Sequence, residues 1–285
     1  MVREFRLLNE KGQEFSLMDL QNNCFLSEPS GLGYSYSTSY EKIGNSFVNT
    51  LRTLEQGQIL GVANFRNYDN FKSFVDYIES SEQLKFAYKI PYKNLPIQEF
   101  YKDVEIQEIE KGQLDLDGIL KSNVLFNCLS LWYTENKVIY STEVKNDEIR
   151  WNFKWDSKFV DYNNRILNYL NDGHVPAPVL IKIEGPVVNP TITLKVEGKI
   201  YQEVTVNATI QQYEDFEYCT LDKDFYIRKK NTDGTYTDLF DLDYIDPSNN
   251  NVIKIPQNKS CELIMTSDSD IINAEVRIYS FYKIV

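Results

Sequence analysis

The sequence predicts a mainly β protein of two domains, residues 1–142 and 143–285, with a single helix in the first. Length, composition and punctuation carry that expectation. A chain of 285 residues is long for one hydrophobic core and comfortable for two. Aromatic residues make up 14% of it, with 20 Tyr and 16 Phe against 3 Met, a composition that suits pleated, half-buried surfaces. Short alternating runs recur between turn residues, most densely in residues 171–194. There Pro176, Pro178, Pro186 and Pro190 fix φ and remove ladder donors, while Val179, Ile181 and Ile183 alternate as a strand does.

From the N-terminus, residues 5–8 and 15–17 flank Asn9-Glu-Lys-Gly12 and read as a hairpin, with Gly12 supplying positive φ. Gly31-Leu-Gly33 leads into residues 34–38, where aromatic and small polar side chains alternate like a strand with one packed face. The Lys-Ser/Thr ending and following helix of a phosphate loop are missing there. One helix is predicted over residues 69–80, where Phe71, Phe74, Val75 and Ile78 recur at i, i+3, i+4 and i+7, with Asn67 or Asp69 as N-cap. Residues 84–90 and 102–109 return to strand patterning around a loop marked by Pro91 and Pro96. A Lys111-Gly112 turn follows, and the apolar run over residues 124–133 suits a buried strand. Residues 134–150 are charged with one apolar island, and the domain junction is placed among them.

In the second half, Trp151, Phe153 and Trp155 alternate on one strand face. Residues 163–170 read two ways, because Tyr162, Ile166 and Leu170 have helical spacing yet precede a turn at Asn171-Asp-Gly173. Beyond Pro190 come Ile192, Leu194 and Val196, a Glu197-Gly198 turn, then Val204, Val206, Ala208 and Ile210, and a hairpin at Asn231-Thr-Asp-Gly234. Val276, Ile278, Ser280, Tyr282 and Ile284 alternate to the end. Many short strands at this spacing predict a sandwich.

Two stretches together resemble the siphophage distal tail protein (Dit) family, the hub of a baseplate. In one, an acidic strand carrying Glu108 or Glu110 precedes Gly112-Gln-Leu114 and a strand ending at Trp132. In the other, Asn171-Asp-Gly173 leads through prolines into a strand, Gly185 and Asn189-Pro190. Leu131 stands where the family often has proline. Asn258 stands where it closes on a glycine turn, and asparagine tolerates that left-handed conformation. The resemblance implies a galectin-like C-terminal sandwich, a strand at residues 163–170, and an N-terminal domain that builds a homohexameric ring. It further implies a structural protein of the virion tail tip, assembled in the host cytoplasm. That protein links the tail-tube protein to a tail-tip or tail-associated lysin protein, offers its periphery to receptor-binding or baseplate proteins, and forms a DNA conduit. A hub from a contractile tail or phage-derived particle carries the same patterns.

A net charge of −12 and a pI near 4.7 oppose a phosphate-neutralising surface, whereas a ring of acidic subunits lets DNA pass without sticking. Cys24, Cys128, Cys219 and Cys261 lack CxxC spacing and read as reduced, buried thiols. No signal-peptide core or 18-residue apolar run is present, so cytoplasmic synthesis without membrane insertion is expected. The sequons at Asn207-Ala-Thr209 and Asn258-Lys-Ser260 are then chance matches.

The lone His174 reads as an exposed turn residue, since a triad or metal site needs more imidazole or thiol nearby. Asp115, Asp117 and Gly118, and the cluster Asp238, Asp241, Asp243 and Asp246, lack the offsets of an EF-hand and read as solvated loops. Carboxylate pairs for glycoside hydrolysis come from distant strands and leave no spacing to read. No catalytic, cofactor or metal residues are therefore expected, and the chain is not read as an enzyme. The alternative is a glycan-binding adhesion protein, in which exposed Tyr and Trp stack on sugars. Against it, the aromatics stand mostly at core-type strand positions, and the chain has no room for an inserted carbohydrate-binding module.

Overall fold

The computed structural model of the chain describes residues 4–19, 24–90, 98–141, 166–269 and 272–285. It divides into two units, Met1–Thr134 with Tyr282–Val285, and Glu135–Phe281. The boundary expected after residue 142 falls at the edge of residues 142–165, outside the described part, as do Pro91, Pro96, Trp151, Phe153 and Trp155.

In the first unit, apolar side chains at alternate positions set one face of each strand toward a shared core. Glu4–Asn9 pairs with Glu14–Ser16 on one side and Leu84–Ile90 on the other. The antiparallel ladder continues through Gln98–Ile109, Leu120–Cys128, Gln58–Phe65 and Cys24–Ser30. Met18–Asp19 then pairs with Cys24–Ser30, so residues 14–19 join both ends of the ladder. Leu17 N donates to Phe5 O at 2.9 Å and Leu26 N to Leu17 O at 2.7 Å, which joins the two ends of the sheet through residues 14–19. Inside lie Phe5, Phe65, Phe86, Phe126 and Trp132, each buried and each stabilising by about 1.5–3 kcal/mol relative to exposure.

The helix is Tyr68–Glu79, and of the two candidate caps the structure uses Asn67, whose Oδ1 accepts from Asn70 N at 2.8 Å. Phe74 and Ile78 are buried, with Phe74 packed 5.3 Å from both Phe65 and Phe15. Two expectations are corrected in this unit. Residues 124–133 are not one buried strand: Leu120–Cys128 alternates, with Leu120, Ser122, Val124, Phe126 and Cys128 inward, and Trp132 opens the next strand, Trp132–Ser141. The ladder breaks because Leu129 N turns to Asp103 O at 2.8 Å while Ser130 Oγ accepts from Asp103 N at 2.9 Å. The second correction concerns residues 34–38: the strand begins at Tyr36 and runs to Ile43, and it has no packed face beyond Tyr36.

In the second unit two antiparallel sheets enclose one core. One runs Tyr236–Asp238, Tyr226–Lys230, Asp215–Cys219, Ala177–Glu184, Asn273–Tyr282 in order of pairing. The other runs Leu167–Leu170, Ser260–Thr266, Thr191–Val196, Lys199–Thr205. Val179, Ile181, Phe216 and Val276 from the first meet Ile192, Leu194, Leu263 and Met265 from the second in the same buried cluster. Residues 167–170 are a strand, as the resemblance implied. The prolines act as punctuation around and at the start of Ala177–Glu184, and Glu197 and Gly198 turn the chain with φ of 53° and 77°. Asn258 takes φ 56°, the left-handed conformation expected of it.

Candidate interaction surfaces

The strands Tyr36–Ile43 and Ser46–Leu54 form a hairpin that, among the described residues, pairs only with itself, turning at Gly44 with φ 61°. Its base is fixed. The Arg52 guanidinium sits 3.9 Å from the Tyr36 ring centroid, and Lys283 Nζ donates to Tyr36 Oη at 2.9 Å, holding that phenol below the usual tyrosine pKa. Beyond the base, Tyr40, Ile43, Phe47, Val48 and Leu51 are exposed, Phe47 by 70%. An isolated hairpin is marginal in water, and contiguous exposed apolar side chains mark a candidate interaction surface.

A second surface lies in the second unit. The strand Lys199–Thr205 is the edge of its sheet, and the loop over residues 246–252 stands beside it across a groove of about 370 Å³. Side chains of Tyr201, Glu203, Asn207, Asp246, Asn249 and Asn250 line it. The loop is held from within. Asp246 Oδ1 accepts from Ser248 N at 2.9 Å and Oγ at 2.7 Å, which lowers the carboxyl's pKa. Asn251 Nδ2 donates to Asp246 O at 2.9 Å, and the buried Tyr218 hydroxyl donates to Asn251 O at 2.9 Å while accepting from Ile253 N at 2.7 Å. Gln202 Nε2 ties the edge strand to Val252 O at 3.0 Å.

The residues singled out in the sequence do not converge. His174 is exposed, and its backbone N donates to Phe281 O at 2.7 Å. Asp115 Oδ1 accepts from Asp117 N at 3.0 Å and Ile119 N at 2.9 Å, and the bond from Ile119 is the main cause of its lowered pKa. Asp238 Oδ1 caps Phe240 N at 2.9 Å, so the acidic runs are spent on turns. Glu108 and Glu110 line a cleft of about 390 Å³ with Glu28, but Glu110 Oε2 is taken by Asn123 Nδ2. Among the described residues no three metal-type ligands come together. Trp132 is buried, its Nε1 donating to Leu32 O at 2.9 Å under the Lys102 ammonium, 4.7 Å from the ring. The four cysteines are free and buried, and burial pushes the Cys24 thiol up to about 12.

Two candidate surfaces escaped the sequence reading. The hairpin arm looked like an ordinary strand because alternation does not say what covers each face. The 246–252 loop looked like solvated acids and asparagines, and only its pairing with a distant edge strand makes a groove.

Residues 4–129 match the family model described as the distal tail protein, N-terminal domain. This segment is a distal tail protein N-terminal domain. By this match residues 4–129 are of the kind found in structural proteins of the phage distal tail and baseplate hub, virion proteins that work in assembly with other tail components. Among solved structures, a chain of the phage P2 baseplate in its activated conformation with calcium is similar with a TM-score of 0.64 at 17% identity, over 100% of both chains. The strontium form of the same baseplate gives 0.64 at 16%, again over 100% of both chains. The crystal structure of Dit from SPP1, a hub of the adsorption apparatus of phages infecting Gram-positive hosts, gives 0.57 at 13%, over 97% of this chain and 98% of that one. At these identities the likeness shows that the chain shares their fold. No curated protein sequence matches the chain.

Proposed function

We propose that this chain is a distal tail protein, six copies of which form a closed ring at the end of a phage tail. The exposed hairpin over residues 36–54 carries the reading, because an arm with uncovered apolar side chains needs a partner and a second copy of the chain supplies one. Laying each arm on the next copy is a heterologous contact, which generates a ring when the rotation closes. A net charge of −12 per copy favours a lumen that repels DNA phosphates and so conducts DNA without binding it. On this reading the ring-forming domain, residues 1–142, continues the tail-tube protein and meets the tail-tip or tail-associated lysin protein. The outer domain, residues 143–285, is a galectin-like sandwich that serves receptor-binding and baseplate proteins. Assembly takes place in the host cytoplasm, and the protein acts without turnover.

Mass photometry tests the ring directly. The intact chain is expected to assemble into hexamers, alone or beside the tail-tube protein, and the double variant Phe47→Asp, Val48→Asp to remain monomeric. A chain that stays monomeric at high concentration with its tube partner, or a variant that still forms rings, overturns the proposal.

A further inference from the structure

We propose that the groove between Lys199–Thr205 and the 246–252 loop binds a neutral saccharide. Both walls belong to one unit of one chain, so the site does not depend on the ring. The atoms presented there are unspent. Glu203 accepts from Thr193 Oγ1 through Oε2, leaving Oε1, and Asn250 accepts from Val252 N through Oδ1, leaving Nδ2. Asn249 donates to Asp246 through Nδ2, leaving Oδ1, while no described residue bonds the Asn207 carboxamide or the Tyr201 hydroxyl.

That set contains donors and acceptors in close succession, which is what vicinal hydroxyls require, since each hydroxyl both gives and takes a hydrogen bond. Tyr201 is 59% exposed and offers an aromatic face for the C–H face of a pyranose, with its own hydroxyl at the rim. Charge narrows the ligand further. No Lys or Arg lines the groove, whereas Glu203 and Asp246 do, so phosphate and carboxylate ligands are repelled and an uncharged polyol is not. The volume falls within the range of small-ligand sites, roughly 300–1,000 Å³. The loop is ordered before any ligand arrives, through Asn251, Tyr218 and Gln202, which reduces the entropy lost on binding.

The test uses the full chain, with saturation-transfer NMR and calorimetry against glucose, galactose, rhamnose and N-acetylglucosamine oligosaccharides, and polyribitol phosphate as the anionic probe. At least one neutral oligosaccharide is expected to bind, with affinity falling about tenfold or more in Tyr201→Ala and in Asn250→Ala. Both residues are exposed, so melting temperatures should stay near that of the parent chain. Tyr201→Phe, which keeps the ring, should retain most of the binding and guards against a folding artefact. No neutral binding at roughly 10 mM, binding unchanged in both alanine variants, or preference for polyribitol phosphate each overturns the proposal. Ring formation by the same variants, read by mass photometry, separates failure here from failure of the hub reading.

Discussion

Asn171 holds more of the second unit together than its place in a turn suggests. Fully buried, it donates through Nδ2 to Val175 O and Ile255 O, both at 3.0 Å, and accepts through Oδ1 from Gly173 N at 2.9 Å and Ser280 Oγ at 3.0 Å. Gly173 has to be glycine, since a Cβ there would stand 2.8 Å from both Asn171 Oδ1 and Phe281 O. Replacing Asn171 by Ala removes four hydrogen bonds at once, though Ser280 Oγ keeps the Tyr169 hydroxyl at 2.9 Å, and a loss of about 2–3 kcal/mol is expected in chemical denaturation of the second unit. Lys102 is the opposite case. It is buried with no carboxylate in salt-bridge range among the described residues, and burial lowers its pKa below the ordinary lysine value. Between that lowered value and the ordinary one, the unfolded chain holds the proton and the folded chain does not, so stability rises with pH across this alkaline window. Below it both states are charged and the burial cost stands in full. Lys102→Met is therefore expected to stabilise by about 1–3 kcal/mol at neutral pH, a gain that shrinks as pH climbs toward the lysine range in pH-resolved melts.

At the scale of elements, the hairpin and the helix contrast. The helix Tyr68–Glu79 presents Phe71, Phe74 and Ile78 to a sheet in its own chain, so its amphipathic pattern is fully explained by folding. The hairpin carries exposed apolar side chains that no other described element covers. Its apolar side chains contribute nothing to the isolated fold, so the Phe47→Asp, Val48→Asp variant should melt within a degree or two of the parent monomer while losing self-association. A variant that also unfolds would mean the arm is packed in the monomer, contrary to its exposure.

For the whole molecule, the acidic balance predicts that assembled protein shows no retention of duplex DNA in fluorescence anisotropy even at low salt, where phosphate contacts are strongest. Salt-sensitive binding would point to a basic surface hidden by the net figure. Much of the architecture was legible in the residues: the strand at Ala177–Glu184, the helix, the turns at Gly12 and Glu197-Gly198, and the left-handed Asn258. These are local. Periodicity, proline and positive-φ requirements act within a few residues of one another, so sequence alone determined them, along with the acidic charge and the distal-tail pattern. Tertiary structure alone decided that residues 14–19 join the two ends of the first sheet and that Tyr282–Val285 return to the first unit. It also decided that Trp132 opens a strand, that the hairpin stays uncovered, and that residues 246–252 meet Lys199–Thr205 across a groove. Each of these depends on which distant backbone or side chain arrives opposite, and alternation along a strand is the same whether a core, a partner or water lies on its face.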